Sequence, residues 1–275
     1  MMIVNTDKCI GCTLCKQDCP VNDIEMIDVK SHIRNKTCVK CGHCIAICPV
    51  RAISCDDEKD YSMSEVKEYN IEEFSVNPDV LMNFMKFRRS VRLFSNKDIE
   101  EEKIDKILEA GKFTQTGGNL QDVSYVIVED KIQELRKIVL QTLNSQADNL
   151  LDDETTTPQI RLYANMWKTM YKNFVENPDG EDKLFSKAPL LIVVKSKNIV
   201  NGALAASKME LMINALGLGT YFSGFLSRAV NFNPEIGKFL KIGDSEELVA
   251  CMVIGYPKVH YKRTVPRKDV HITRL

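Results

Sequence analysis

The chain has 275 residues, with 37 lysines and arginines against 38 aspartates and glutamates, and a formal net charge of −1. This balance gives no indication of nucleic-acid binding or of a membrane-surface protein, both of which usually need a basic patch. No apolar run has the length of a membrane span, and a cysteine motif begins at Cys9, which leaves no room for a signal peptide. The sequence therefore predicts a cytoplasmic protein.

Eight of the ten cysteines form two copies of the pattern Cys-x2-Cys-x2-Cys-x3-Cys-Pro. The copies are Cys9, Cys12, Cys15, Cys19 and Cys38, Cys41, Cys44, Cys48. A zinc site usually separates two cysteine pairs by a longer stretch, and a disulfide framework belongs to small secreted domains. The repeat therefore predicts iron–sulfur clusters and the transfer of electrons one at a time.

This spacing resembles that of bacterial two-cluster ferredoxins, which implies a 2[4Fe–4S] ferredoxin domain over residues 1–55. In those proteins the fourth cysteine of each run ligates the other cluster. The resemblance assigns Cys9, Cys12, Cys15 and Cys48 to a first cluster. It assigns Cys38, Cys41, Cys44 and Cys19 to a second.

The segment after this domain and the two remaining cysteines are predicted to have structural roles. Residues 56–79 form an acidic connector, since residues 56–78 carry eight acidic and two basic side chains. Cys55 has no partner, and Cys251 lies in an apolar run typical of a buried strand, so both are expected to pack as small hydrophobes.

Residues 80–275 are predicted to form a second domain in which helices pack on a central sheet, an α+β architecture. The predicted helices are 80–87, 99–113, 131–146, 158–175, 203–216 and 234–240. The predicted strands are 123–129, 190–194 and 247–256, with extended structure at 221–225.

Four motifs of this domain carry a family resemblance. They are Arg88-Arg89-Ser90-Val91-Arg92, Thr116-Gly117-Gly118-Asn119-Leu120-Gln121, Gly217-Leu218-Gly219-Thr220-Tyr221-Phe222-Ser223-Gly224, and Gly255-Tyr256-Pro257 followed by Arg263 and Pro266-Arg267-Lys268. In this order they resemble the FMN-dependent nitroreductase family over residues 80–275. The whole chain is similar to ferredoxin–nitroreductase fusion proteins of anaerobic bacteria.

The resemblance implies that the first and last motifs bind the FMN phosphate, through Arg88, Arg89, Ser90, Arg92 and Arg267. Arginine binds phosphate oxygens bidentately, and alternate residues of an extended segment share one face. The alternative for the first motif is a solvated basic run at a helix end. Lys268 is an equal candidate for the role of Arg267.

The middle motifs are expected beside the flavin ring. Asn119 and Gln121 carry amides that can donate to and accept from the isoalloxazine edge. Ser223 and Gly224 match positions whose backbone lies near N5 of the flavin. The family usually has Ser or Ala where Gly117 and Gly118 stand, so this chain departs from the pattern there.

An apolar stripe and four histidines are the remaining candidate features of the sequence. The stripe is Tyr163, Met166, Trp167, Met170, Tyr171 and Phe174, at helical spacing. It is either ordinary core packing or part of a lid over the flavin. The four histidines show no metal-ligand spacing and are given no role.

Taken together, the resemblance implies an FMN-dependent oxidoreductase, with no side chain assigned a catalytic role besides the flavin itself. Electrons would pass from a low-potential donor through the clusters to FMN, and on to a nitroaromatic, quinone or similar small acceptor. One alternative is an NAD(P)H-reduced module that exports electrons to a protein. The other is a reductive dehalogenase or flavin-modifying relative.

The family also implies a homodimer with FMN between the chains. One of the helices predicted at 158–175 and 203–216 is then expected to be buried by the partner. The donor is either an external ferredoxin or NAD(P)H.

Overall fold

The computed structural model describes residues 1–57 and 61–275, and the chain divides into two compact units. Unit 1 consists of Met1–Val76 and Thr116–Leu120, and unit 2 of Asn77–Gln115 and Gln121–Leu275. The change of unit at Asn77 lies within the predicted connector, of which residues 58–60 are outside the described residues. The segment 116–120 was expected in the second domain, but it packs with unit 1.

Unit 1 is built from two antiparallel strand pairs and very short helices. In chain order its elements are β1 (Met2–Val4), α1 (Leu14–Gln17), β2 (Ile24–Ile27), β3 (Lys30–Ile33), α2 (His43–Ala46), β4 (Ile53–Cys55) and α3 (Ile71–Phe74). Strand β1 pairs with β4, so that Ile3 lies opposite Ser54, and β2 pairs with β3, so that Glu25 lies opposite His32. A small core of Met2, Ile24, Ile33, Ile53, Cys15 and Cys55 holds the pairs together.

Gly11 explains the tight path of the first cysteine loop. Its φ is +70°, a left-handed conformation that residues other than glycine rarely adopt. A Cβ at this position would lie 2.3 Å from the carbonyl oxygen of Val29, so only glycine fits. Gly42, in the second loop, has a φ of +75° but has open space where a Cβ would be.

Unit 2 is a four-stranded antiparallel sheet covered by helices on both faces. Its elements are α4 (Pro78–Phe87), α5 (Glu101–Lys112), β5 (Val123–Val128), α6 (Ile132–Asp152), α7 (Pro158–Glu176), β6 (Leu190–Ser196), α8 (Ile199–Ala215), β7 (Gly219–Phe222), α9 (Gly224–Phe232), α10 (Pro234–Phe239) and β8 (Glu247–Gly255). The strand order is β5-β6-β8-β7. Strands β6 and β8 occupy the centre, with Ile192 opposite Met252.

The two faces of the central strands belong to two separate cores, because successive strand residues point to opposite faces. On β6, Leu191 and Val193 pack with residues of α6, α7 and α9. Leu190, Ile192 and Val194 pack with residues of α5 and α8. The continuous apolar sequence of β6 is thus explained by burial on both faces.

Most predicted elements of this unit are present, with α6 and α8 longer than predicted, but one prediction was wrong. Residues 221–225 were expected to be extended, whereas α9 begins at Gly224. Ser223 caps this helix, since its hydroxyl accepts a hydrogen bond from the Leu226 amide at 3.5 Å. Among the helices of the described residues, none combines the length and apolar character that a bilayer crossing demands.

Candidate functional site

The cysteines predicted for the first cluster line one cavity in unit 1. It has an empty volume of about 320 Å³, and Cys9, Cys12, Cys15 and Cys48 are all in its wall. The rest of the wall is mainly apolar. Its other lining residues are Val4, Ile10, Leu14, Ser31, Val50, Ala52 and Ile53. Four sulfurs are thus available to hold a group in mainly apolar surroundings, with Cys12 exposed to solvent.

The cysteines predicted for the second cluster line a separate cavity of about 350 Å³. Its wall contains Cys19, Cys38, Cys41 and Cys44. This is the grouping that crossed ligation requires, because each cavity takes its fourth thiol from the other cysteine run. Among the described residues, no three His, Cys, Asp or Glu side chains lie close enough together for a single metal ion. The residue-by-residue ligand assignment stays a prediction, which the grouping supports.

Backbone amides are directed at the cysteine sulfurs in both halves. The Asp23 amide donates to Cys19 Sγ at 3.3 Å, and the Ala52 amide donates to Cys48 Sγ at 3.2 Å. In each case the donor lies four residues after the sulfur. Such donors stabilise the thiolate and tune the potential of a cluster bound to it.

Ser31 adds contacts that were not predicted from the sequence. It is buried on β3; its amide donates to Cys9 Sγ at 3.5 Å, and its hydroxyl lies 3.0 Å from Cys15 Sγ. The backbone hydrogen bond from Ser31 lowers the pKa of the Cys9 thiol. The strand alternation that buries Ser31 and Ile33 together could have indicated that this hydroxyl faces the cysteines.

The thiols of the second cavity affect one another. Burial, together with the nearby Cys41 and Cys38 thiols, raises the pKa of the Cys44 thiol to about 11. Metal ligation requires the thiolate, so iron loading must release the proton of Cys44.

In unit 2, Arg88 is engaged by an ion pair that was not foreseen. Its Nη1 lies 2.9 Å from Oε1 of Glu210 on α8, and the two side chains are only 24% and 14% exposed. Glu210 is the one acidic residue of the mainly apolar α8, and a carboxylate in this setting was the available signal of an ion pair. Arg88 also ends α4, where its amide donates to the Phe84 carbonyl.

Arg89, the next residue in the chain, has incomplete hydrogen bonding. Its Nη1 donates to the Arg88 carbonyl at 2.5 Å, but within the described part of the chain its Nε and Nη2 are buried without a partner. Thr220 Oγ1 is in the same condition. The two residues lie on joined segments, since Ser90 bridges Thr220 and the Val91 amide donates to the Thr220 carbonyl. Unpaired buried donors are costly, and a phosphate group supplies the acceptor oxygens that they lack.

The structure also brings Arg92 and the Ser223–Gly224 turn close to this segment. The Arg92 guanidinium lies 5.1 Å from the ring centroid of Tyr221 on β7, a cation–π contact. The Ser223 amide donates to the Cys251 carbonyl at 2.8 Å, which fixes the turn against β8. Gly224 is the first residue of α9, where amides have no acceptor within the helix.

The remaining predicted flavin residues are arranged differently. Asn119 packs within unit 1, where its side-chain amide donates to the carbonyls of Val39 at 2.9 Å and Lys40 at 3.0 Å. Gln121 begins the return to unit 2 with a φ of +48°. Arg267 and Lys268 are both exposed in the C-terminal segment, so the structure does not separate these two candidates.

The apolar stripe belongs to the core. Trp167 is 1% exposed, and its ring meets that of Phe225 edge-on, with the centroids 5.9 Å apart. Met170 is also buried, and the rest of the stripe packs against the same core. Core packing was one of the two interpretations of this sequence pattern.

Comparisons with known proteins find a family match in the N-terminal part of the chain and another in the C-terminal part. Residues 85–256 match the model of the nitroreductase family, and residues 1–49 match that of a 4Fe-4S dicluster domain. A nitroreductase with bound FMN from Bacteroides fragilis NCTC 9343 has a TM-score of 0.52 and 19% identity, over 72% of this chain and 100% of that one. A nitroreductase with bound FMN from Desulfitobacterium hafniense DCB-2 has a TM-score of 0.51 and 20% identity, with the same coverage. These structures show the same α+β fold, as predicted.

Sequence similarity also connects the chain to dehalogenating enzymes. The iodotyrosine deiodinase of Hydra vulgaris is 22% identical over 188 residues, which cover 63% of each chain. The iodotyrosine dehalogenase 1 homolog of Caenorhabditis elegans is 23% identical over 219 residues, 72% of this chain and 62% of that protein. This chain thus spans less than two thirds of the length of these curated relatives.

Proposed function

We propose a function on the premise that this chain belongs to the nitroreductase family and carries an N-terminal 4Fe–4S dicluster domain. It is an FMN-dependent oxidoreductase with two [4Fe–4S] clusters, as predicted from the sequence. Its proposed reaction takes electrons from a low-potential donor through the clusters to FMN. The final acceptor is a small electron-poor compound such as a nitroaromatic or a quinone.

The observation that carries this proposal is the presence, in one chain, of two four-cysteine cavities and a cationic site with unpaired donors. When bound, FMN supplies a carrier that accepts electrons singly and releases them in pairs. The chain's own residues hold and orient these groups. The cysteine sulfurs would bind the iron, and their amide donors would tune the potentials of the clusters.

The residues proposed for FMN divide by the part of the cofactor they would hold. Arg89 is the first candidate for the phosphate, because its Nε and Nη2 lack other partners among the described residues. Arg88 is held by Glu210 and helps to fix this segment. Further proposed contacts are Ser90, Arg92 and Arg267 at the phosphate, and Gln121, Ser223 and Gly224 at the ring. Asn119 was expected at the ring as well, but its side-chain amide donates to the carbonyls of Val39 and Lys40 instead.

A second candidate reaction is the reductive removal of halogen from an aromatic ring. Two relatives, from Hydra vulgaris and Caenorhabditis elegans, are named as an iodotyrosine deiodinase and an iodotyrosine dehalogenase. The same cofactors would serve, since this reaction also consumes two electrons for each halide released. Halide release therefore separates it from reduction of a nitro group or a quinone.

We further propose that the chain works as a homodimer with FMN in the groove between two copies. The sequence suggested the helices now seen as α7 and α8 for the interface, but their residues Trp167, Met209 and Ile213 are used in the chain's own core. Helix α4 offers a better surface, since it buries none of its residues. Its exposed apolar side chains are Val80, Leu81, Met82, Met85 and Phe87. Stable homodimer interfaces are large and apolar.

The deciding experiment is anaerobic stopped-flow reduction of the protein carrying both clusters and FMN. With a reduced low-potential ferredoxin as donor, cluster bleaching should precede flavin bleaching. A panel containing a nitroaromatic, a quinone and an iodophenol should then reoxidise the protein, and iodide release would identify the second reaction. Flavin reduction by NADH ahead of the clusters, with electrons then leaving through them to a protein, would overturn the proposed direction.

A further inference from the structure

Asn119 joins a distant segment to the second cysteine loop. Both of its side-chain hydrogen bonds go to main-chain carbonyls of neighbouring residues, to Val39 at 2.9 Å and to Lys40 at 3.0 Å. These two residues stand between Cys38 and Cys41, which line the second cavity. Segment 116–120 thus packs as part of unit 1, although it is about 80 positions away along the chain.

The backbone around Asn119 is fixed by hydrogen bonds of its own, which position the side-chain amide toward the second cysteine loop. Gly117–Asn119 forms a 3-10 helix, in which the backbone amide of Asn119 donates to the Thr116 carbonyl and that of Leu120 donates to the Gly117 carbonyl. Asn119 itself has a φ of +55°, a conformation that asparagine tolerates better than most residues. The side chain is therefore presented by a fixed backbone.

The hydrogen bond from Asn119 to the Val39 carbonyl affects the Cys38 sulfur through a single peptide unit. The Val39 carbonyl and the Lys40 amide belong to the same planar trans peptide and point in opposite directions. Asn119 holds the carbonyl, and the amide donates to Cys38 Sγ at 3.4 Å. Fixing one end of the plane fixes the other, and hydrogen bonds in such a chain strengthen one another.

The backbone of Lys40 is strained, as a comparison with its counterpart in the first cysteine run shows. The position corresponding to Lys40 in the first run is Gly11, and both backbones are left-handed, with φ of +51° and +70°. Glycine adopts this conformation freely, whereas lysine is strained in it. In the second loop a strained residue is thus held by an external hydrogen-bond donor.

We propose that Asn119 is a positioning residue for the second cluster, which keeps the Lys40 amide directed at Cys38 and thereby sets the potential of that cluster alone. An amide donor stabilises the reduced cluster, which carries the larger negative charge, and so raises its reduction potential. Cys38 belongs with Cys41 and Cys44 whether or not the ligation is crossed. The inference depends on the dicluster domain and not on the proposed direction of electron flow.

The test is an EPR-monitored redox titration of the full-length, FMN-loaded protein with its iron and sulfide content measured. Asn119→Ala should lower one of the two cluster midpoint potentials and leave the other in place. Ser31→Ala, which removes the hydroxyl beside Cys15, is the matched variant and should move the other potential. Unchanged potentials in Asn119→Ala, or a shift of the same potential by both variants, would overturn the proposal.

A second set of variants keeps the test decisive where Asn119→Ala fails to retain its clusters. Lys40→Gly relieves the strain, so Lys40→Gly/Asn119→Ala should recover the lost iron. Lys40→Ala/Asn119→Ala is the control, because both changes at Lys40 remove its 2.7 Å ion pair with Asp57 but only glycine removes the strain. Equal recovery by both double variants, or recovery by neither, would reject the role of Asn119.

Discussion

At the scale of single residues, two adjacent arginines have different surroundings and therefore different expected roles. Arg88 already has a carboxylate partner in Glu210, whereas Arg89 has two buried nitrogen atoms without a partner among the described residues. The sequence placed both in the phosphate site and could not distinguish them. A partner 122 positions away is invisible to any local pattern.

Replacing Arg89 by alanine should weaken FMN binding by about 2 kcal/mol, roughly thirtyfold in Kd, the scale of a lost charge-assisted hydrogen bond. Fluorescence titration of the flavin-free protein measures this change.

Arg88→Ala should also weaken FMN binding, but through loss of the ion pair that fixes the segment. The double variant Arg88→Ala/Glu210→Gln should therefore recover part of the loss, because no buried carboxylate is left unpaired.

For the preceding prediction, an Arg89→Ala variant with unchanged FMN affinity would remove Arg89 from the site.

Two glycines in equivalent loops provide a matched pair. Gly11→Ala places a methyl group against the Val29 carbonyl and adds backbone strain, whereas Gly42→Ala adds only the strain. We expect Gly11→Ala to lose about four of the eight irons and Gly42→Ala to keep about eight, by iron and sulfide assay after anaerobic reconstitution. Equal retention by the two variants would contradict the steric argument.

At the scale of helices and strands, the sequence predicted most where burial alone determines the element. Helix α7 was foreseen because its apolar residues follow the helical period, and strand β6 because a short continuous apolar run is typical of a strand buried on both faces. Helix α9 was missed, because Tyr221–Phe222 continues directly into Ser223, whose capping role was not recognised from the sequence. Segment 116–120 lies within the predicted second domain along the chain but packs in unit 1, since its Asn119 donates hydrogen bonds to Val39 and Lys40.

Trp167 is the most informative residue for the role of α7. Because it is fully buried between α7 and Phe225 of α9, Trp167→Ala should destabilise the fold by about 3–5 kcal/mol, measured by urea unfolding of the reconstituted protein. Leu162→Ala, on the exposed side of the same helix, is the control and should change stability little. If α7 acted as a lid only, Trp167→Ala would alter acceptor KM and leave unfolding unchanged.

At the scale of the whole molecule, the cysteine grouping predicts how the two clusters depend on one another. Cys48→Ser should damage the cluster held by Cys9, Cys12 and Cys15, because Cys48 lines their cavity. Its EPR spectrum should therefore match that of Cys12→Ser and differ from that of Cys41→Ser. A match with Cys41→Ser would mean that the ligation is not crossed.

Assembly is the second property of the whole chain that can be tested. A charge at Met82, on the exposed face of α4, should convert a dimer into a monomer of 31.3 kDa and release FMN, as measured by light scattering with absorbance detection. Val29→Glu, at a side chain of unit 1 that is 79% exposed, adds the same charge outside α4 and should change neither. A Met82→Glu monomer that retains its FMN would refute the shared groove.

The sharing of cysteines between the two runs also has a consequence for synthesis on the ribosome. The second cavity gains its last thiol with Cys44, and the first remains incomplete until Cys48 has been added, although three of its thiols were made long before. Both cavities are thus finished within a few residues of each other. We therefore expect a nascent chain to complete its two groups of four thiols almost together, rather than one long before the other.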